Sequence, residues 1–322
     1  MFCRSSKIAK LGVAACVIAL SAPSLAGSFA YAELDSNGQI TSDIAGEDEP
    51  GALYEAGSIG KFVCTLAALR LADRGVLSID DTIGQLLPRF ADTAIAPIKL
   101  RDVLASRSAI SDGLLPALQA DPQAVMSTPD AATAVERYAT GDLNGASGSR
   151  WSYDLVNWVV VQAVIEKQTD RPIASVMDEL VIQPAGLGDS RVFVRQIGPG
   201  AQTPASPPRP LPGFLTCAGG LASTPRDLIA LARFPHKGGL TAGSLEQLTT
   251  ITAPEEGYTL GGRFLQTSAG QLLSWQSGSN GAYKSVVTYD PSTDTGFAAM
   301  TASGSNESIQ AARTEWMERR TR

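Results

Sequence analysis

Ser58-Ile59-Gly60-Lys61 sets a hydroxyl and an amine three residues apart at the mouth of a long apolar segment. On a helix, residues at this spacing share one face, a turn apart. An amine held there can take the hydroxyl proton and leave a serine nucleophile. The context fits a helix. Phe62, Leu66, Leu69 and Leu71 recur at helical spacing through Arg74, and Gly75 stands where a helix stop is expected. Ser58 then falls at the helix N-terminus, where free N–H groups and the helix dipole favour a developing oxyanion.

The rest of the inventory removes other chemistries. The chain has one histidine, His236, in a Pro/Gly-rich loop, where it reads as a surface residue. There is no H-E-x-x-H, no C-x-x-C and no histidine cluster, so the sequence offers no zinc hydrolase pattern. A G-x-S-x-G elbow and glycine-rich phosphate loops are also missing. No metal or cofactor is expected. A hydrolase built on this chain must use something other than Ser-His-Asp, and serine with lysine and tyrosine is the natural candidate.

The 322 residues carry a net charge of −6. Residues 1–26 read as a secretory leader: Arg4, Lys7 and Lys10 precede the apolar run Leu11 to Leu20, and Ser24-Leu25-Ala26 supplies small residues for cleavage. The expectation is a periplasmic or secreted protein starting at Gly27; the alternative is a lipoprotein anchored at Cys16, since Val13-Ala14-Ala15-Cys16 fits a lipobox. Without the leader, 23 basic residues face 32 acidic ones, a net −9, which argues against nucleic-acid or anionic-membrane partners. No later segment is long and apolar enough to span a bilayer. Only Cys64 and Cys217 would remain after cleavage. They read as small core residues, with a single bridge as the alternative.

The pattern along the chain is α+β. Ser28 to Asp35 and Gln39 to Ile44 read as a hairpin around Asn37-Gly38. From Ile59 to about Val192 the periodicity is mostly helical, including a helix from Leu155 to Lys167. Arg191 to Gly213 reads as an irregular connection, and Leu221 to Phe234 as a helix with a start signal at Ser223-Thr224-Pro225. Strands follow at Tyr258–Gln266, Gln271–Gln276, Ser285–Tyr289 and Phe297–Ala302, then a helix from Glu307 to Arg319. The predicted architecture is one antiparallel sheet completed by both termini, flanked by helices, with an inserted mainly helical lobe. The sheet lobe covers about 27–57 and 245–322, and the helical lobe about 58–244, in a single domain.

Several segments, in order, resemble the serine β-lactamase-related family of class C β-lactamases, D,D-peptidases and related esterases. They are Glu55 to Lys61 with Asp73 to Asp81, Ile98 to Ser108, Trp151-Ser152-Tyr153 with the apolar helix after it, Ala218 to Leu228, and Gln276-Ser277-Gly278 through Asp290-Pro291. The resemblance covers roughly residues 28–319. It implies Ser58 as acylating nucleophile, Lys61 as acceptor or relay of its proton, and Tyr153 as the second base and acid. It implies an oxyanion hole from the backbone N–H groups of Ser58 and Ser279. Leu155, Gln276, Ser277 and Gly278 occupy the positions that bind substrate.

The departures matter as much. The family's Tyr-x-Asn has Leu155 at the asparagine position, and Asn157 is expected to face elsewhere. The third motif opens with Gln276 instead of lysine or histidine. Thr-His-Thr-Ser-Gly becomes Ala105-Ser106-Arg107-Ser108-Ala109. The expectation is retained acyl transfer on a changed substrate: an exported hydrolase of esters or amides. The alternatives are a β-lactamase or D,D-carboxypeptidase proper, or a catalytically weak binding or regulatory member of the same fold. Because Gln276 brings no charge, neutral esters are expected to react better than carboxylate-bearing ones, unless Arg107 or Lys284 supplies the cation.

Overall fold

A computed structural model describes residues 28–46, 51–197, 203, 210–254, 256–267 and 270–321. The leader and its cleavage site lie outside these residues. The Asn37-Gly38 turn joins β1 (Phe29–Leu34) to β2 (Ile40–Ala45), with Leu34 opposite Ile40 and Phe29 opposite Ala45. Gly38 sits at φ +82°, a conformation that suits the missing side chain. A small second sheet joins β3 (Tyr54–Glu55), β4 (Arg191–Val192) and β5 (Leu221–Ser223) in the order β3-β5-β4.

The C-terminal strands are β6 (Arg263–Gln266), β7 (Leu272–Asn280), β8 (Tyr283–Asp290) and β9 (Thr295–Thr301). They form an antiparallel meander, and β1 adds to β9, giving the order β2-β1-β9-β8-β7-β6. Both ends of the described chain therefore complete one sheet. The predicted α+β class, with a helical insertion between the sheet's N- and C-terminal strands, is the fold observed.

Among the described residues, the four longest helices are α1 (Ile59–Asp73), α2 (Leu155–Thr169), α3 (Pro225–Arg233) and α4 (Glu307–Thr321). α1 buries every residue from Ile59 to Leu69, and α2 every residue from Val156 to Ile165. Helices apolar all round belong in a core, and here they make the centre of the helical region. α3 packs against β1, β8 and β9 on one face of the sheet, although its position in sequence suggests the helical lobe. α4 covers the other face, where Ile309 and Trp316 meet Phe29, Val286 and Phe297.

Several local expectations change. Leu221–Ser223 is a strand, because it pairs with Tyr54–Glu55 and its Leu221 carbonyl accepts a 2.8 Å hydrogen bond from the Ala56 N–H. The helix begins only at Pro225, where Thr224 caps it by accepting from the Asp227 N–H. The strand expected from Tyr258 starts at Arg263, since Thr259 and Gly262 close a turn first. Gly278 does not end a strand; β7 runs through it to Asn280.

Cys64 and Cys217 are both core residues and bridged partners, 153 positions apart in sequence. The bridge joins α1 to the short helical turn Thr216–Gly219. His236 is not a surface residue. It is half-buried, 6.1 Å from the Phe264 ring and 5.5 Å from the Tyr289 ring, and burial lowers its pKa to about 4.

Candidate active site

The first turn of α1 holds both members of the opening pair. Ser58 is the N-cap residue, and its side chain makes no capping hydrogen bond. Its Oγ instead accepts a 3.1 Å hydrogen bond from Lys61 Nζ. The Lys61 side chain is buried, at 2 % exposure, and Nζ also donates to the Ala218 carbonyl at 2.8 Å. Burial lowers the Lys61 pKa; interaction with Tyr153 opposes this, and the Arg263 charge adds to it. A desolvated amine gives up its proton more readily than one in water, which suits a base.

Tyr153 stands on the segment leading into α2, with its ring centroid 5.3 Å from Lys61 Nζ. The amine therefore lies over the Tyr153 ring, within reach of its electrostatic influence. Neighbouring contacts hold this segment. The Ser152 N–H donates to the Ser106 carbonyl at 2.8 Å, and the rings of Trp151 and Tyr258 lie 5.9 Å from the Tyr153 ring.

The remaining side of the site is β7. Its approach to α1 depends on two glycines. A Cβ on Gly278 would stand 1.8 Å from the Ala56 carbonyl oxygen, and one on Gly57 would stand 2.5 Å from the Ser279 nitrogen. Gly57 also adopts φ +53°. Backbone thus meets backbone where the helix entry passes the strand, and Ser285 Oγ clips the junction by donating to the Ala56 carbonyl at 2.9 Å. The same approach brings the backbone of Ser279 to the entry of α1.

Below the junction, Glu55 is fully buried and accepts a hydrogen bond from the Asn280 amide, and burial raises its pKa. This ties the strand before Ser58 to the residue after Ser279.

A cavity of about 690 Å³ opens over this junction. Ser58, Tyr153, Ser277, Gly278 and Ser279 line it, so these predicted residues converge on one space with Lys61 directly beneath. Besides Lys61, two predicted residues do not line it. Leu155 packs against the hydrophobic core. Gln276 turns away: its amide oxygen accepts from the Arg263 N–H at 3.2 Å, and its nitrogen reaches the Arg263 carbonyl at 3.3 Å. As expected, Asn157 faces elsewhere, accepting from the Ser108 hydroxyl.

Among the described residues, the cations of the cavity wall are Arg263 and Lys284. Arg107 is spent on the Gly148 and Thr252 carbonyls and takes no part in the wall. Lys284, one of the two cations that could make up for the charge missing at Gln276, thus lines the wall, which removes the reason for preferring neutral esters. Arg263 was not legible in the sequence. Trp275 is its cross-strand partner, a pairing that only the register reveals. Asn306 and Gln310 line the cavity too.

Residues 5–319 match the protein-family model described as Beta-lactamase. The chain belongs to that family. Among curated relatives, it is 31% identical over 148 residues to Esterase EstB of Burkholderia gladioli, a match covering 42% of this chain and 38% of that protein. It is 29% identical over 147 residues to a putative D-alanyl-D-alanine carboxypeptidase of Escherichia coli, covering 42% of this chain and 33% of the relative. The chain thus spans a third to two-fifths of the curated relatives it matches. A D-stereospecific amidohydrolase from Streptomyces sp. superposes with a TM-score of 0.76 at 22% identity, over 88% of this chain and 93% of that one. The D-amino acid amidase of Ochrobactrum anthropi SV3 gives 0.72 at 17%, over 89% and 94%. At these identities the structural matches establish the fold: a β-lactamase-like α+β fold. An esterase and a putative carboxypeptidase are thus among the curated relatives of this β-lactamase-family chain.

Proposed function

We propose that this protein is an exported serine hydrolase that cleaves ester or amide bonds through an acyl-enzyme on Ser58. The observation that carries the reading is the buried Lys61 amine, 3.1 Å from Ser58 Oγ and in contact with Tyr153. Lys61 takes the proton from Ser58 as Oγ attacks the acyl carbon. The N–H groups of Ser58 and Ser279 stabilise the oxyanion. Tyr153 passes a proton to the leaving alcohol or amine, and the acyl group stays on Ser58. Water then attacks the ester, with Lys61 and Tyr153 moving its proton, and Ser58 is released with the carboxylic acid.

Export is part of the proposal. The Cys64–Cys217 bridge favours an oxidising compartment, as the leader-like residues 1–26 do. The exposed Tyr153, at the cavity mouth, speaks for a working enzyme over a binding protein that has lost its chemistry.

The test is a substrate panel: short-chain phenyl esters, D-amino acid amides, a chromogenic β-lactam and a peptide ending in D-Ala-D-Ala. Turnover of an ester or amide by the wild type, lost in Ser58→Ala, is expected. No turnover of any member by folded protein would favour the binding-protein alternative.

A further inference from the structure

Lys61 can serve Ser58 only if its amine points the right way. A neutral amine has two N–H groups and one lone pair, and the lone pair must face Oγ to take its proton. The Ala218 carbonyl accepts from Nζ at 2.8 Å and so fixes one N–H, while Nζ faces Ser58 Oγ at 3.1 Å. The aim of the amine is therefore set by a backbone oxygen in the helical turn Thr216–Gly219. So short a helix does not hold itself, because a first turn costs more ordering than its few hydrogen bonds return. Its leading N–H groups also lack partners within the helix.

Gln162 supplies what the turn lacks. It lies on α2, in the buried stretch Val156 to Ile165, and is 2 % exposed. Its Oε1 accepts from the Cys217 N–H at 3.2 Å, and its Nε2 donates to the Gly213 carbonyl at 3.0 Å. One side chain thus grips the backbone on both sides of Thr216. Glu166 Oε1, one turn along α2, accepts from the same Nε2 at 3.3 Å and is itself held by the Ile173 N–H at 3.2 Å, which fixes the amide. Burying an amide is costly unless its polar atoms are paired, and leucine or methionine would fill this space without that cost. A role in packing alone does not account for glutamine here. The Cys64–Cys217 bridge reaches the same turn from α1. Tyr153 stands just before α2, so Gln162 also joins the anchor of Lys61 to the helix that follows the tyrosine.

We propose that Gln162 is a positioning residue for the Lys61 base: by gripping the turn through Cys217 and Gly213, it holds the Ala218 carbonyl where the amine faces Ser58. The inference rests on Lys61 being the base for Ser58.

The test is the rate of covalent labelling by a fluorophosphonate, resolved into kinact and KI, with folding checked by circular dichroism and stability by urea unfolding. Gln162→Met keeps the length of the side chain and drops its polar atoms. It should lower kinact roughly tenfold, the scale of a displacement short of 1 Å, and leave KI within about twofold, since binding of the reagent is untouched. Should this variant not fold, Gln162→Asn takes its place with the same expectation, because it keeps an amide that stops one methylene short of the turn. The control is Gln168→Met. Gln168, on the same helix, donates to the Leu86 carbonyl at 2.6 Å, far from the turn. Its loss should lower the urea midpoint and leave kinact unchanged.

An unchanged kinact in folded Gln162→Met, with only stability lowered, overturns the proposal. So does an equal loss of kinact in Gln168→Met, which would mean that any loosening of α2 slows the reaction. Lys61→Ala separates the two readings. A wild-type kinact in Lys61→Ala removes the base itself, and with it the ground for the inference. A slow Lys61→Ala beside an unslowed Gln162→Met removes the positioning role alone.

Discussion

The floor and the wall of the cavity are built in opposite ways. The floor's central pair is locally encoded. Ser58 and Lys61 lie within one helical turn, and Gly57 and Gly278 let backbone touch backbone beside them. The wall is assembled from distant strands: Arg263 from β6, Lys284 from β8, and Asn306 and Gln310 from the C-terminal helix and its approach. The floor has little freedom, because any added atom meets a main chain. The wall consists of side chains facing open space, which can change without disturbing the fold. One family can thus keep its covalent chemistry while its substrates vary.

The largest effects should come from Lys61 in the floor and Tyr153 at the cavity mouth. Lys61→Ala and Tyr153→Phe should each lower kcat about 10³-fold or more, and the double variant little beyond the worse single one, because groups acting as one proton-transfer unit are strongly non-additive. Steady-state kinetics on a responsive ester checks this. Independent, multiplying losses would separate the two residues and break the picture of a single unit. The pH profile adds a sign. Lys61 works as the neutral amine, and burial lowers its pKa, so kcat/KM should rise with pH about a midpoint below the ordinary lysine value.

Next comes Gly278→Ala. The new methyl would meet the Ala56 carbonyl, so β7 must draw back from α1. We expect a loss of roughly 10²-fold in kcat, the scale of a misplacement of about 1 Å, together with destabilisation of about 1–3 kcal/mol. Comparing the variant's ester kinetics with its denaturant unfolding separates the two. Full activity would show that the oxyanion geometry does not depend on this contact.

A smaller effect concerns the bridge under the floor. Cys64 is one turn beyond Lys61, and Cys217 precedes Ala218, whose carbonyl holds the amine. Replacing both by alanine should cost about 2–4 kcal/mol of stability, the usual range for a bridge that closes a long loop. It should also lower kcat by several-fold through a looser Lys61. Chemical denaturation with and without reductant measures the first, and a reductant effect on the wild type alone would tie it to this bridge.

The same contrast explains what the sequence could show. The helix of Ser58 and Lys61 was legible because its signal is local: an i, i+3 pair followed by apolar residues at helical spacing. The hairpin at Asn37-Gly38 and the strands of the C-terminal meander were legible for similar reasons. Arg263 was not, since its place beside Tyr153 depends on where the turn at Gly261-Gly262 starts the strand and on its register with Trp275. Gln276 was misjudged for a related reason. The motif placed it on the correct strand, but its side chain bonds the backbone of a neighbour that only the fold supplies. The Cys64–Cys217 pairing needed the approach of two segments 153 residues apart.

The central claim is that Ser58 forms the covalent intermediate. Treating the folded wild type with a fluorophosphonate, then mapping the modified peptide by mass spectrometry, tests it most directly. A single adduct on Ser58 is expected, absent from Ser58→Ala and slowed in Lys61→Ala. An adduct on another serine, or none on protein shown to be folded, would contradict it.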